Sequence, residues 1–245
     1  MSEIYLSVII PAYNEEKRIE KTLREIEKYL KDQKYSWEIL VVNDGSKDKT
    51  AQVVEDLRLQ IANLRLIDNK INRGKGAVVR QGMLEAKGKY RLFTDADNST
   101  SIDHVEKMWP EFEKGADVVI GTRDPKDAKG ACQAFPQPWW RRLLGDIFNV
   151  LVKIILGLWE FWDTQCGFKC FTEKATKEIF PKCKIERFAF DPEILVIAKR
   201  KGFKISKIPV RWINDPESKV KFKSMVKMGI DLIKIRLNLI KGVYD

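Results

Sequence analysis

The sequence predicts an α/β fold, a mostly parallel sheet flanked by helices, with C-terminal amphipathic helices. Two observations carry this. In the first half, short apolar runs alternate with stretches whose apolar residues recur every three or four positions. That alternation belongs to a parallel sheet covered on both faces. Several of the apolar runs also stop at polar clusters, Tyr13-Asn14-Glu15, Asn43-Asp44-Gly45-Ser46 and Asp95-Ala96-Asp97. Ligands of open parallel sheets bind beyond the carboxyl ends of the strands, where such clusters would lie.

Taken in order, Ser7–Pro11 reads as a buried strand, and Ile19, Leu23, Ile26 and Leu30 mark one face of a helix. Glu38–Asn43 is a second buried strand, and Val53, Val54, Leu57 and Ile61 mark the next helix. Leu64–Ile67 is a short strand, Gly76–Ala86 a helix, and Tyr90–Thr94 a strand that stops at acids. Ile102, Val105, Met108 and Phe112 predict a further helix face, and Asp117–Gly121 another strand. In the second half a loop at Pro136–Arg142 enters an element, Arg141–Trp159, that is apolar over most of its circumference. Such a helix is buried or lies in a membrane interface. Ile185–Lys199, a strand near Ile205–Trp212 and a Lys-rich amphipathic helix close the chain.

The 245 residues suffice for one large α/β domain or two small ones, and 44% hydrophobic content supports a substantial core. The expected division is one α/β domain over 1–215, with halves 1–123 and 124–215, followed by a basic amphipathic helix over 216–245. The net charge is +10, and Lys199–Lys241 holds thirteen Lys/Arg against three acids, which accounts for the whole excess. A basic block of this kind suits a polyanionic surface, nucleic acid or anionic lipid. No nucleic-acid motif accompanies it, so nucleic acid is not an expected partner. Lys219, Lys221, Lys223, Lys227, Lys234, Arg236 and Lys241 alternate with Phe222, Met225, Leu232, Ile233, Leu237 and Ile240. That pattern reads either as membrane-surface binding or as a core-packed helix with a solvated Lys face. Trp139 and Trp140, beside two arginines and ahead of an apolar helix, suit a membrane interface or a core.

No signal peptide is visible, and no apolar stretch reaches the roughly 18–20 residues of a membrane span. The closest, Leu143–Trp162, is interrupted by Asp146, Asn149, Lys153 and Glu160. The four cysteines, Cys132, Cys166, Cys170 and Cys183, match zinc spacing poorly and are expected as reduced structural thiols of a cytosolic protein.

Three constellations carry chemistry. Asp95 and Asp97, one residue apart after a buried strand, suit a hard divalent cation, Mg²⁺ or Mn²⁺, that bridges to phosphates. Asn43-Asp44-Gly45-Ser46 reads as an Asp-Gly turn before a capped helix, and the Asp44 carboxylate could equally accept an N–H from a nucleobase. Asn72-Arg-Gly-Lys-Gly76 resembles a phosphate loop without the Walker spacing, with Lys75 supplying charge near a helix N-terminus.

These pieces together resemble a known family. Ser7–Glu15 (SVIIPAYNE), Glu38–Ser46 (EILVVNDGS), Asn72–Gly76 and Asp95–Asp97 occur in the order seen in family 2 glycosyltransferases of the GT-A (Rossmann-like) fold. Val119-Ile-Gly-Thr-Arg123, Asp163–Lys169 (DTQCGFK), Glu186–Asp191 (ERFAFD) and Ile208-Pro-Val-Arg-Trp212 with Ser218-Lys-Val220 resemble dolichyl-phosphate β-glucosyltransferases, with dolichyl-phosphate mannose synthases as near cousins. The resemblance runs from about Ser7 to the last helix, and it implies that 1–215 is a catalytic domain with a nucleotide-binding half (1–123) and an acceptor half (124–215).

It implies an inverting, metal-dependent transfer of a hexose from UDP-glucose, with GDP-mannose as the alternative, to dolichyl or another polyprenyl phosphate at the cytoplasmic face of a membrane. By the resemblance, Pro11, Ala12, Tyr13, Glu15 and Asp44 surround the nucleoside, with Lys75 and Ala96 completing the donor site. Asp95 and Asp97 hold the metal against the diphosphate, Arg123 with Arg141 or Arg142 faces the acceptor phosphate, Asp163 and Lys169 line the sugar pocket, and Lys219 covers the phosphates. The glutamine of some mannose synthases two positions beyond the second metal aspartate is Ser99 here. Many relatives carry transmembrane helices that this sequence lacks, so attachment is expected through amphipathic helices, a membrane-protein partner or a second copy of the chain. A phosphate acceptor, ionised with a second pKa near 6, needs cations and no strong base. A saccharide hydroxyl acceptor would need a carboxylate base, for which Asp163 is the candidate.

Overall fold

The computed structural model of the chain describes residues 3–134, 139–213 and 222–245; the side chains at 139–143 and 222–224 lie outside that description. A seven-stranded sheet runs in the order β3-β2-β1-β4-β7-β5-β8. Its strands are β1 (Leu6–Ala12), β2 (Trp37–Asp44), β3 (Leu64–Asn69), β4 (Tyr90–Thr94), β5 (Val118–Thr122), β7 (Phe168–Thr172) and β8 (Ile205–Pro209). All neighbours pair parallel except β7, which is antiparallel to both β4 and β5. Two-residue strands β6 (Cys132–Gln133) and β9 (Arg211–Trp212) form a small parallel ladder beside it.

Alternation along β1 divides the core. Ile9 faces one layer with α3 (Lys75–Glu85), α5 (Trp139–Leu156), α6 (Glu173–Ile179), α7 (Phe190–Arg200) and α8 (Phe222–Ile240). Leu6, Val8 and Ile10 face the other, with α1 (Ile19–Lys31), α2 (Thr50–Arg58), a 3-10 helix (Ile102–Lys107) and α4 (Trp109–Glu113). Successive strand side chains point to opposite faces, so β1, buried along its length, serves both layers.

The expected strands and helices of the first half appear within one to three residues, with two differences. Ile102–Phe112 is not one helix: the 3-10 turn ends and α4 starts anew with Pro110 in its first turn, because proline has no N–H for the ladder. Ile61 packs in the core but lies past the end of α2. The strand near Ile205–Trp212 is two pieces, β8 ending at Pro209 and β9 joining β6. Neither β7 nor α6 was expected from the sequence.

The last helix carries two apolar stripes. Met228, Leu232 and Ile235 are buried against the layer that holds α5 and α7. Val226, Ile230, Ile233, Leu237 and Ile240, four and three residues apart, form a second, exposed stripe. Beside it α5 exposes Ile147, Val150, Leu151 and Ile154. Among the described residues no helix is long and apolar enough to cross a membrane.

Candidate active site

The order β3-β2-β1-β4 reverses direction at β1, and the loops after β1, β2 and β4 converge on the crevice that such a reversal opens. Pro11 and Ala12 are the last residues of β1, with Tyr13 half-buried beyond them. The loop after β1 is tied to the loop after β2: Asn14 N–H donates to Ser46 Oγ at 2.9 Å, Glu15 N–H to Thr50 Oγ1 at 2.7 Å, and Lys47 N–H to Asn14 Oδ1 at 2.8 Å. Glu15 is buried and pairs with Arg18 on entry to α1.

Asp44, 3% exposed at the end of β2, binds the segment that leads into α3. Its Oδ1 accepts the Arg73 N–H at 2.7 Å, and its Oδ2 accepts Gly74 N–H at 2.9 Å and Asn72 Nδ2 at 2.8 Å. Burial raises its pKa, outweighing those donors and the nearby Arg187 and Arg73 charges.

At the end of β4, Thr22 Oγ1 donates to Ala96 O at 2.8 Å and Ser99 N–H to Asp97 Oδ1 at 2.9 Å. The same loop is held from the far side, where Ile213 N–H donates to Ser99 O at 2.9 Å and Thr100 bridges Trp212. Lys75, at the start of α3, places Nζ 2.5 Å from Asp95 Oδ1. Desolvation lowers its pKa, but the Asp95 and Asp191 charges more than offset that and leave it raised. Burial and the Asp95 charge raise the pKa of Asp97.

Lys169, fully buried on β7, donates from Nζ to Asp191 Oδ1 and to Cys166 O, each at 2.5 Å. Asp191 is held above the usual carboxylate range by burial, against the pull of Lys169 and Lys75. Three carboxylates (Asp95, Asp97, Asp191) against two ammonium groups (Lys75, Lys169) leave this cluster one negative charge in excess. Two carboxylates whose mutual repulsion raises a pKa fit a divalent cation, which would remove that repulsion. Among the described residues no group of three His, Cys, Asp or Glu side chains could hold a metal. Two carboxylates suit a cation such as Mg²⁺, which takes one or two protein carboxylates and fills its shell from phosphates and water.

Just past β5, Arg123 and Asp163 form a two-pronged pair, Nε to Oδ2 at 2.8 Å and Nη2 to Oδ1 at 2.7 Å, with Arg123 N–H to Oδ2 at 2.9 Å. The guanidinium also stands 5.3 Å from the Trp212 ring. Desolvation alone would raise the pKa of Asp163, but the Arg123 charge and hydrogen bonds hold it below the usual range. Asp127, its side chain fully buried, accepts Asp163 N–H at 2.8 Å and Lys207 Nζ at 2.8 Å, fixing the entry to this segment.

Lys75, Asp95, Asp97 and Lys169 thus gather in one cluster, Arg123 and Asp163 pair beside it, and Asp44 lies behind the Asn72–Gly74 segment. Arg141 and Arg142 are on the first turn of α5 with side chains outside the described ones, and Lys219 lies outside the described residues. Sequence reasoning missed Asp191 and Asp127. An acid set in the apolar run Phe190–Ala198 is the signal for the first, since an acid there must find a buried partner; the second carries none.

The family model for glycosyl transferase family 2 matches residues 7–169. A dolichyl-phosphate beta-glucosyltransferase of Trichomonas vaginalis is 41% identical over 97% of this chain and 76% of its own length. The protein of that name from Homo sapiens is 36% identical over 98% of this chain and 77% of its own length. Among solved structures, glucosyl-3-phosphoglycerate synthase from Mycobacterium tuberculosis, in complex with Mn²⁺, UDP and glucosyl-3-phosphoglycerate, superimposes with a TM-score of 0.66 at 15% identity, covering 96% of this chain and 79% of its own. At that identity the likeness is one of fold.

Proposed function

The chain belongs to glycosyl transferase family 2 and is a glycosyltransferase, and from that premise we propose that it moves glucose from UDP-glucose to dolichyl phosphate at the cytoplasmic face of a membrane. The relatives' names supply the donor sugar and the acceptor. The Arg123–Asp163 pair carries the choice of acceptor chemistry. A hydroxyl acceptor needs a carboxylate free to take a proton. Asp163 has both oxygens engaged by Arg123 and a depressed pKa, so it is a poor base. A phosphate acceptor arrives ionised and needs only cations to hold it in line.

A divalent metal at Asp95 and Asp97, when bound, neutralises the charge that develops on the leaving diphosphate. Lys75, at the α3 N-terminus, exchanges its Asp95 partner for a diphosphate oxygen as donor binds. Arg123, steadied by Asp163 and Trp212, orients the acceptor phosphate with Arg141 or Arg142 as a further cation, and Lys219 is proposed to cover the donor phosphates. Lys169 and Asp191 form a fixed polar floor for the sugar, while the loops after β1 and β2 frame the nucleoside. Residues 1–215 carry the chemistry in this reading, and 216–245 the attachment. The exposed apolar stripes of α5 and α8, with Lys227, Lys234, Arg236 and Lys241 exposed on α8 and just beyond it, support seating at an anionic lipid surface.

The test is radiolabelled transfer to a short polyprenyl phosphate with Mg²⁺ or Mn²⁺, using UDP-glucose and GDP-mannose in turn. Label should enter the lipid from UDP-glucose and be lost with chelator or in Asp97→Ala. Transfer from GDP-mannose alone would replace the sugar, and transfer from neither would remove the polyprenyl-phosphate acceptor.

A further inference from the structure

Resting on the donor-site reading above, the geometry points to Tyr244 and Glu193 as positioning residues that seat the donor-phosphate loop. Glu193 is fully buried on α7, in the same first turn as Asp191. Its Oε1 accepts the Lys184 N–H at 2.8 Å and the Tyr244 hydroxyl at 2.6 Å, and its Oε2 accepts the Ile185 N–H at 2.9 Å. Tyr244, fully buried, accepts in turn from Asn238 Nδ2 of α8 at 3.1 Å. Among the described residues no side chain implied in catalysis hydrogen-bonds to this network, yet it fixes the backbone at Lys184 and Ile185.

The next residues of that segment meet the donor loop. Glu186 O accepts the Ala77 N–H at 3.0 Å. Arg73 Nη2 donates to Glu186 Oε1 at 2.7 Å, and Arg187 Nη1 to Asn72 Oδ1 at 3.1 Å. Arg80 Nη1 reaches Cys183 O at 2.6 Å. The two backbones pack so closely that a Cβ at Gly74 or Gly76 would stand 2.5 Å from Glu186 O or Ile185 O. Residues 72–76 are thus clamped between Asp44 on one side and 183–187 on the other, and the second clamp ends on α8. The helix whose outer stripe is proposed to meet lipid is therefore in mechanical contact with the loop that carries Lys75.

Tyr244→Phe removes one hydroxyl and keeps the ring. Hydrogen exchange on the full chain reads Lys184, Ile185 and residues 72–77 in the parent and the variant, without any donor present. Steady-state kinetics then separate donor KM from kcat. The expected result is faster exchange in both segments and a donor KM raised about three- to tenfold, the size of one lost buried hydrogen bond, with kcat and acceptor KM unchanged. Val152→Ala, which trims the same core away from the network, should lower stability and leave donor KM where it was. Faster exchange confined to Lys184 and Ile185, or a donor KM that follows stability in both variants, overturns the inference. A parent that transfers nothing would defeat the donor reading, while the exchange result would still decide whether the two segments are coupled.

Discussion

Arg123 and Asp163 grip each other through two side-chain hydrogen bonds of 2.7 and 2.8 Å, forty residues apart in sequence, with the Asp163 side chain only 5% exposed. A buried pair of this kind costs little to keep and much to break, because removing one partner strands the other charge away from water. Arg123→Ala should therefore lose about 3–5 kcal/mol of unfolding free energy. The double variant Arg123→Ala/Asp163→Ala should lose less than the sum of the single losses. Denaturant melts of the four proteins measure the coupling directly.

The same pair removes Asp163 from the expected pH dependence of transfer. Because Arg123 holds the Asp163 pKa below its ordinary value, Asp163 stays ionised throughout the neutral and mildly acidic range. An acid limb in kcat near pH 6 would then belong to the acceptor phosphate, whose second ionisation lies at about 6. The limb should stay in place in Asp163→Asn, although the plateau falls as Arg123 loses its anchor. A limb that vanishes in Asp163→Asn would restore Asp163 as a base and a hydroxyl as acceptor.

Glu38 makes stability depend on acid. It is 2% exposed on β2 and accepts Ser7 Oγ at 2.7 Å, Lys87 N–H at 2.7 Å and Arg65 Nη1 at 2.8 Å. Burial works to raise its pKa, but these donors outweigh it and the folded value is lowered. A depressed carboxylate contributes stability above its unfolded pKa, about 4.3, and the contribution is lost as pH falls through the folded value. Glu38→Gln should cost about 1–3 kcal/mol at pH 7, with the gap to the parent closing below about pH 4 as Glu38 itself takes up a proton. Urea melts across that range give the curve.

The outer stripe of α8 offers a separate test. Ile230 and Ile233 are 51% and 55% exposed, so replacing them barely touches the core. Ile230→Asp with Ile233→Asp removes apolar area and adds two negative charges on a face proposed to meet anionic lipid. Flotation with phosphatidylserine-containing vesicles should fall at least about tenfold, since each buried methylene group contributes about 0.8 kcal/mol. Melting temperature should hold. Unchanged flotation would assign attachment to another surface or a partner.

The sequence by itself determined the alternating half of the fold and the acids at its strand ends. Residues in one strand or helix are neighbours in the chain, so periods of two and 3.6 record which side of each element is buried. That is why β1, β2 and β4, and with them Asp44, Asp95 and Asp97, were legible. The family resemblance added Arg123, Asp163 and Lys169. Only the tertiary structure decided which partners those residues meet. Phe168–Thr172 hides as a strand because Lys169 sits within it, and a buried ammonium is tolerable only where Asp191, twenty-two residues on, closes over it. Whether Asp163 is free or bound depends on Arg123 across forty residues, and whether Glu193 is an ordinary helix acid or an anchor depends on Tyr244 across fifty-one. Charge burial is settled by which partner the fold brings within hydrogen-bond reach, and local periodicity carries no record of that.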